Sequence, residues 1–175
     1  LWFTASGAPA ALWTLWVSDG TAGGTRQLPA EPPWRSYGLY SNVPTRLAAL
    51  GDTVYFSASD AEHGFELWRS DGTVEGTRPV VDLFPGGIDG EPLFLTAFGG
   101  RIWFSALTPH HGRELWSSDG TAAGTRLEAD VSPGASWSSP RDLVAVGNRL
   151  YFNASDGVHG RDPWVVGLAA PAATE

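Results

Sequence analysis

The chain is 175 residues long, enough for one domain with a sizeable core, and its 42% hydrophobic content separates it from disordered tails. A formal charge of −8, with every basic residue an arginine, leaves no cationic stripe for nucleic acid or for an anionic membrane surface. The absence of cysteine excludes a disulfide framework, a thiolate zinc site and a cysteine nucleophile, and no apolar run approaches the ~20 residues of a membrane span.

With 9 Trp, 8 Phe, 22 Gly and 13 Pro, the composition is that of a turn-rich all-β protein. The first element is a strand-like segment, WFTAS at 2–6, so the chain is expected to be the C-terminal piece of something longer. TLWVSDGTAGGTR at 14–26 reads as strand, turn and strand. A proline-rich link follows at 29–45, and then a second copy with strands predicted at 46–50, 53–58, 66–70 and 77–82. This copy holds YFSAS (55–59) and ELWRSDGTVEGTR (66–78); the third holds WFSAL (103–107) and ELWSSDGTAAGTR (114–126). The last has YFNAS (151–155) and only the start of the second motif, DPWVV (162–166), before an Ala-rich segment, 167–175, expected to be a disordered tail.

Two landmarks share one period. Trp16, Trp68, Trp116 and Trp164 step by 52, 48 and 48 residues, and Phe3, Phe56, Phe104 and Phe152 by 53, 48 and 48. Four short antiparallel strands in such a period match a β-propeller blade, for which ~40–50 residues is usual. The expected fold is therefore all-β, a β-propeller-like array of four-stranded antiparallel blades in a single repeat domain, 1–166. It divides into a partial blade 1–28, blades 46–82 and 93–130, and a partial blade 142–166, about 3.5 blades in all. Such an array is an open arc, or a ring completed by missing N-terminal sequence or by a second chain.

The copies at 66–73 and 114–121 match the signature of the bacterial ELWxxDGT-repeat family, sometimes labelled hyalin-like, which this chain resembles over nearly its whole length. The copy at 15–21 keeps Leu-Trp and Asp-Gly-Thr, with Thr14 where Glu belongs; the last keeps an acidic residue and Trp, with Pro163 in the Leu position. The resemblance implies a repetitive β-rich region of a large exported protein, secreted or at the cell surface, and brings no catalytic residues.

Within the repeat, Asp19, Asp71 and Asp119 precede Gly20, Gly72 and Gly120 in Ser-Asp-Gly-Thr turns. The favoured reading is a turn lock, in which Asp and Ser accept backbone N–H bonds and Gly takes a conformation other residues resist. Calcium is the other reading, but each turn offers one Asp and Ca²⁺ takes about six or more oxygens. No other cofactor or metal is expected. His63, His111 and His159 recur with the period, each before Gly, and are expected to bond locally in loops rather than to form a catalytic site. Trp16, Trp68, Trp116 and Trp164 are assigned to packing between blades. Glu66 and Glu114 are expected to pair with Arg113 and Arg161.

The largest departure from the repeat is the link at 29–45, with Trp34, Arg35, Tyr37, Tyr40 and Asn42; the corresponding later link carries Trp137. Aromatics beside an amide and an arginine on a loop make these the candidate ligand-binding residues, for carbohydrate or protein. The expected function is a non-catalytic module for ligand binding, adhesion or matrix structure. The alternatives are a polysaccharide-acting hydrolase or lyase with its groups on the His-Gly side, and a purely structural spacer.

Overall fold

A computed structural model describes residues 1–6, 13–28, 45–60 and 62–168. Fourteen strands account for the secondary structure, and no helix occurs among these residues. They form four antiparallel sheets of 3, 4, 4 and 3 strands, each made from consecutive segments. Sheet 1 comprises β1 (Trp2–Ser6), β2 (Trp13–Val17) and β3 (Arg26–Gln27). Sheet 2 comprises β4 (Thr45–Leu50), β5 (Thr53–Ala58), β6 (Glu66–Ser70) and β7 (Arg78–Val81). Sheet 3 comprises β8 (Leu93–Phe98), β9 (Arg101–Thr108), β10 (Gly112–Ser118) and β11 (Arg126–Ala129). Sheet 4 comprises β12 (Arg141–Val146), β13 (Arg149–Ser155) and β14 (Arg161–Gly167). β14 ends one residue inside the segment expected as a tail, and Leu168 N–H donates to Asn148 O at 3.0 Å.

The hairpins follow from their glycines. Leu50 pairs Thr53, Phe98 pairs Arg101 and Val146 pairs Arg149, leaving two-residue turns in which Gly51, Gly99 and Gly147 have φ of 60°, 60° and 59°. Positive φ there matches the turn twist to the strand twist. Each opening strand also carries a register shift at one repeat position, 45/48, 93/96 and 141/144. Phe94 and Asp142 hold φ of 58° and 57° at two of these bulges, and Glu91 and Ser139 hold 42° and 48° just before them. No glycine marks these four sites.

The core lies between sheets. Strand alternation sends Val54, Phe56 and Ala58 to one side of sheet 2, where with Trp68 they meet Leu15 and Leu28 of sheet 1. Tyr55, Leu67 and Val80 point the other way and meet Ile102, Phe104 and Ala106 of sheet 3. Trp103, Leu115 and Phe98 of sheet 3 then meet Leu150, Phe152 and Ala154 of sheet 4. Side chains as deeply buried as Phe56 and Phe104 each contribute roughly 1.5–3 kcal/mol. β4, β8 and β12, the opening strands, lie beside one another, with Thr96 Oγ1 donating to Leu143 O at 3.3 Å. Arginines bridge neighbouring sheets as well: Arg26 donates to Gly72 O at 2.9 Å and Arg69 to Gly120 O at 3.3 Å.

Candidate functional site

Antiparallel connectivity sorts the loops to two ends. The glycine hairpins and Asp-Gly-Thr turns share one end; the histidine loops and the links between sheets share the other.

At the first end, three turns repeat one hydrogen-bond circuit. Asp71 Oδ1 accepts from Thr73 N–H at 2.9 Å and from the Thr73 hydroxyl at 2.7 Å, and Thr73 Oγ1 accepts from Gly76 N–H at 2.9 Å. Gly72 N–H donates to Ser70 Oγ at 3.1 Å, and Ser70 Oγ meets Thr77 Oγ1 at 2.7 Å. The turns at 18–25 and 118–125 reproduce each of these bonds. Gly20, Gly72 and Gly120 have φ of 95°, 94° and 94°. A Cβ on Gly24, Gly76 or Gly124 would lie 2.0, 1.9 or 2.0 Å from the Asp carboxylate, so the last glycine of each turn is the floor on which that carboxylate rests. Bonds from Thr73 hold the Asp71 carboxyl below its usual range; Thr21 and Thr121 do the same for Asp19 and Asp119. One oxygen of each Asp is thus used inside its own turn. Among the described residues no three His, Asp or Glu side chains converge on a point.

At the opposite end, each of the three repeat histidines meets a carboxylate. His63 Nδ1 lies 2.9 Å from Asp60 Oδ2, and Asp60 Oδ1 also accepts from the N–H groups of Glu62 and His63. His159 and Asp156 repeat this arrangement, with Nδ1 to Oδ2 at 2.7 Å. His111 differs: Thr108-Pro109 replaces the acidic position, and the ring reaches Asp130 of the following link at 3.1 Å instead. The Asp60 bond raises the pKa of His63, and Asp156 raises that of His159. Burial works against the Asp60 carboxylate, but His63 and the two N–H donors outweigh it and hold its pKa low.

A polar hollow of about 250 Å³ opens beside the His63 loop, lined by Asp60, Glu62, His63, Phe65, Gly87 and Asp89. Asp89 also accepts from Phe65 N–H at 2.9 Å, which ties the link to the histidine loop. The volume falls a little below the ~300–1,000 Å³ of small-molecule sites. Asp60, Glu62 and Asp89 line it with carboxylates, the first and last of which already accept from the protein's own N–H groups, and Phe65 supplies a nonpolar wall. On the next link, Trp137 is 58% exposed and its ring lies against Gly112, where a Cβ would be 2.6 Å from Cδ1. Trp137 therefore sits at the same end of the molecule as the hollow, over the adjacent histidine loop. Trp34, Arg35, Tyr37, Tyr40 and Asn42 lie outside the described residues.

Of the repeat tryptophans, Trp68 is fully buried, Trp16 and Trp116 are partly buried, and Trp164 is 37% exposed while donating to Ala154 O at 3.2 Å.

The glutamates correct the expectation of ion pairs. Glu66 and Glu114 are wholly buried, and among the described residues neither forms an ion pair with an arginine. Glu66 Oε2 accepts from Leu83 N–H at 2.9 Å, and Oε1 from Gly90 N–H at 3.0 Å and Phe84 N–H at 3.4 Å. Glu114 takes Val131 N–H at 3.0 Å, Ser132 N–H at 3.3 Å, Ser138 N–H at 3.0 Å and the Ser138 hydroxyl. Each carboxylate thus clamps both ends of the link that follows its sheet. Arg113 pairs instead with Glu91, and Arg161 donates to Ser139 O at 2.7 Å. The physical reason is that a link turning back over the sheet leaves inward N–H donors that need an acceptor. Burial pushes Glu66 up to about 7 and raises Glu114, against the pull of those donors. The signal available in sequence was the acid's position, invariant between the two full copies, immediately before Leu-Trp.

Set against protein-family models, curated proteins and solved structures, the chain matches none of them.

Proposed function

We propose that the chain is a segment of an ELWxxDGT-repeat protein, built as part of a β-propeller-like array, and that it is a non-catalytic binding module of an exported bacterial protein. One observation carries the non-catalytic reading: the repeated polar groups are employed in holding turns and links. Asp19, Asp71 and Asp119 lock their turns, Glu66 and Glu114 clamp the links, and His63, His111 and His159 bond neighbouring carboxylates. Binding then falls to what departs from the repeat, Trp137 and the link with Trp34, Tyr37 and Tyr40, with the hollow beside His63 at the same end as Trp137. The packing of successive sheets face to face, with opening strands side by side, supports the propeller-like arrangement.

A glycan and polysaccharide array, run with calcium and again with chelator, tests this. Binding that weakens in Trp137→Ala supports a carbohydrate ligand; loss with chelator would add calcium to the Asp-Gly-Thr turns. Release of oligosaccharide from any of these polymers, abolished in His63→Ala, would replace the module by a hydrolase or lyase.

A further inference from the structure

The third copy of the repeat treats its histidine differently from the second and fourth, and the difference leaves polar atoms unbonded. Asp60 and Asp156 each bond the histidine three residues further on. The same repeat position in the third copy is Thr108, and His111 turns instead to Asp130 Oδ2 at 3.1 Å. Thr108 is 6% exposed, yet its hydroxyl makes no hydrogen bond among the described residues. Asp130 Oδ1 and the indole N–H of Trp116 are likewise closed to solvent without a partner there. Buried polar groups are bonded in the great majority of cases, so three such atoms near one ring need a reason. Register brings them together. Gly112 pairs Thr108 and Trp116 pairs Phe104, so Thr108 and Trp116 stand on one face of sheet 3, the face that meets sheet 2. The His111 ring lies edge-on to Trp116 at 6.4 Å and bonds Asp130 through Nδ1. Glu114, between Gly112 and Trp116 on that face, draws the link over it by its bonds to Val131 and Ser138, and this sets Trp137 against Gly112.

From this arrangement we infer that the His111 loop and Trp137 form a subsite for one neutral sugar residue of a polysaccharide, whose hydroxyls are read by Thr108, Trp116 and Asp130. The carbohydrate ligand rests on the binding-module reading above; the unbonded atoms do not. A sugar ring offers a C–H face and a rim of hydroxyls. The exposed indole of Trp137 takes the face. Each hydroxyl both donates and accepts, which matches a set made of an acceptor on Asp130, a donor on Trp116 and a hydroxyl of either kind on Thr108. The His111 ring beside these atoms is 40% exposed and held by its bond to Asp130, so turning it outward opens them to a sugar hydroxyl. A carboxylate on the sugar would meet the Asp130 carboxylate, which disfavours uronic acids.

Isothermal titration calorimetry with neutral hexasaccharides of glucose, mannose, xylose and galactose, and with hexagalacturonate, tests the subsite. Wild type is compared with Trp137→Ala, Thr108→Val and Asp130→Asn. At least one neutral hexasaccharide is expected to bind wild type, and hexagalacturonate to bind more weakly. Trp137→Ala and Asp130→Asn are each expected to weaken that binding by about tenfold, and Thr108→Val by roughly three- to tenfold. Thr108→Val keeps the side chain's shape and removes a hydroxyl that bonds nothing in the fold, so its urea midpoint is expected to equal or exceed that of wild type. A lower midpoint shows the hydroxyl to be bonded within the protein and overturns the subsite. Neutral-sugar binding that all three substitutions leave unchanged, or tighter binding of hexagalacturonate, also overturns it while the binding module stands. No binding of any hexasaccharide at millimolar concentration overturns the subsite and the carbohydrate reading together.

Discussion

Removing the Glu66 carboxylate is expected to loosen the link between sheets 2 and 3 more than any exposed substitution nearby. Glu66→Ala leaves the N–H groups of Leu83, Phe84 and Gly90 without their acceptor, in a site where the glutamate is 0% exposed. Each unsatisfied buried donor costs about 1–3 kcal/mol, less where water can enter, and the lost packing adds to this; about 3–5 kcal/mol is expected. That is a large share of the ~5–15 kcal/mol that holds a typical domain together. Asp162 stands one period after Glu114, in sheet 4, and is exposed; Asp162→Ala is the control and is expected to be near neutral. Urea unfolding followed by tryptophan fluorescence measures both. The pH dependence adds a second arm. Because burial lifts Glu66 from 4.5 to about 7 in the folded chain, proton uptake stabilises the fold fully below pH 4.5. That contribution, on the order of 3 kcal/mol at most, is lost as pH rises through 7. Glu66→Gln, which cannot ionise, is expected to flatten the slope between pH 5 and pH 8. A Glu66→Ala cost below about 1 kcal/mol, or an unchanged slope in Glu66→Gln, would refute the clamp as argued.

Gly76→Ala and Gly124→Ala place a methyl within 1.9 and 2.0 Å of the Asp71 and Asp119 carboxylates, and each is expected to lower stability by about 1–3 kcal/mol in thermal melts. Ser139→Gly is expected to raise stability by roughly 0.5–1 kcal/mol, because φ of 48° suits glycine better than serine; urea midpoints measure it. In an NMR titration His63 is expected to deprotonate above its ordinary 6.5, and Asp60→Asn to bring it back down. The pairing with charged His63 is thus present below that value and lost as pH rises through the elevated one.

The strand pattern was legible because aromatic and β-branched runs and glycine turns recur in register: the strands expected at 53–58 and 66–70 coincide with β5 and β6. The Asp-Gly-Thr turn was half legible. Its first glycine advertises a positive φ, whereas the demand on Gly76 comes from a carboxylate folding back over five residues, a contact that residue identity does not encode. Glu66 was misread because an acid before Leu-Trp looks like one half of an ion pair. Its partners are backbone N–H groups of a link, and those leave no trace in residue identity. The bulges at Phe94 and Asp142 were invisible for the opposite reason: non-glycine residues sit at positive φ there, against local preference. Of the candidate ligand residues, Trp137 lies beside Gly112, away from the Asp-Gly-Thr turns.

Among the described residues the three core clusters each straddle a gap between sheets, and none is private to one sheet. Such a chain behaves as beads on a line, with nearest-neighbour coupling and little else. A single sheet has no stable existence by itself, yet any sheet with the right two faces can stand in for another. Excising residues 93–140 as one cassette would join a sheet 2 face to a sheet 4 face of the same grammar, so length can change by whole units while the joints stay matched. Each added cassette would bring one more link, whose length and sequence are free to differ from the others.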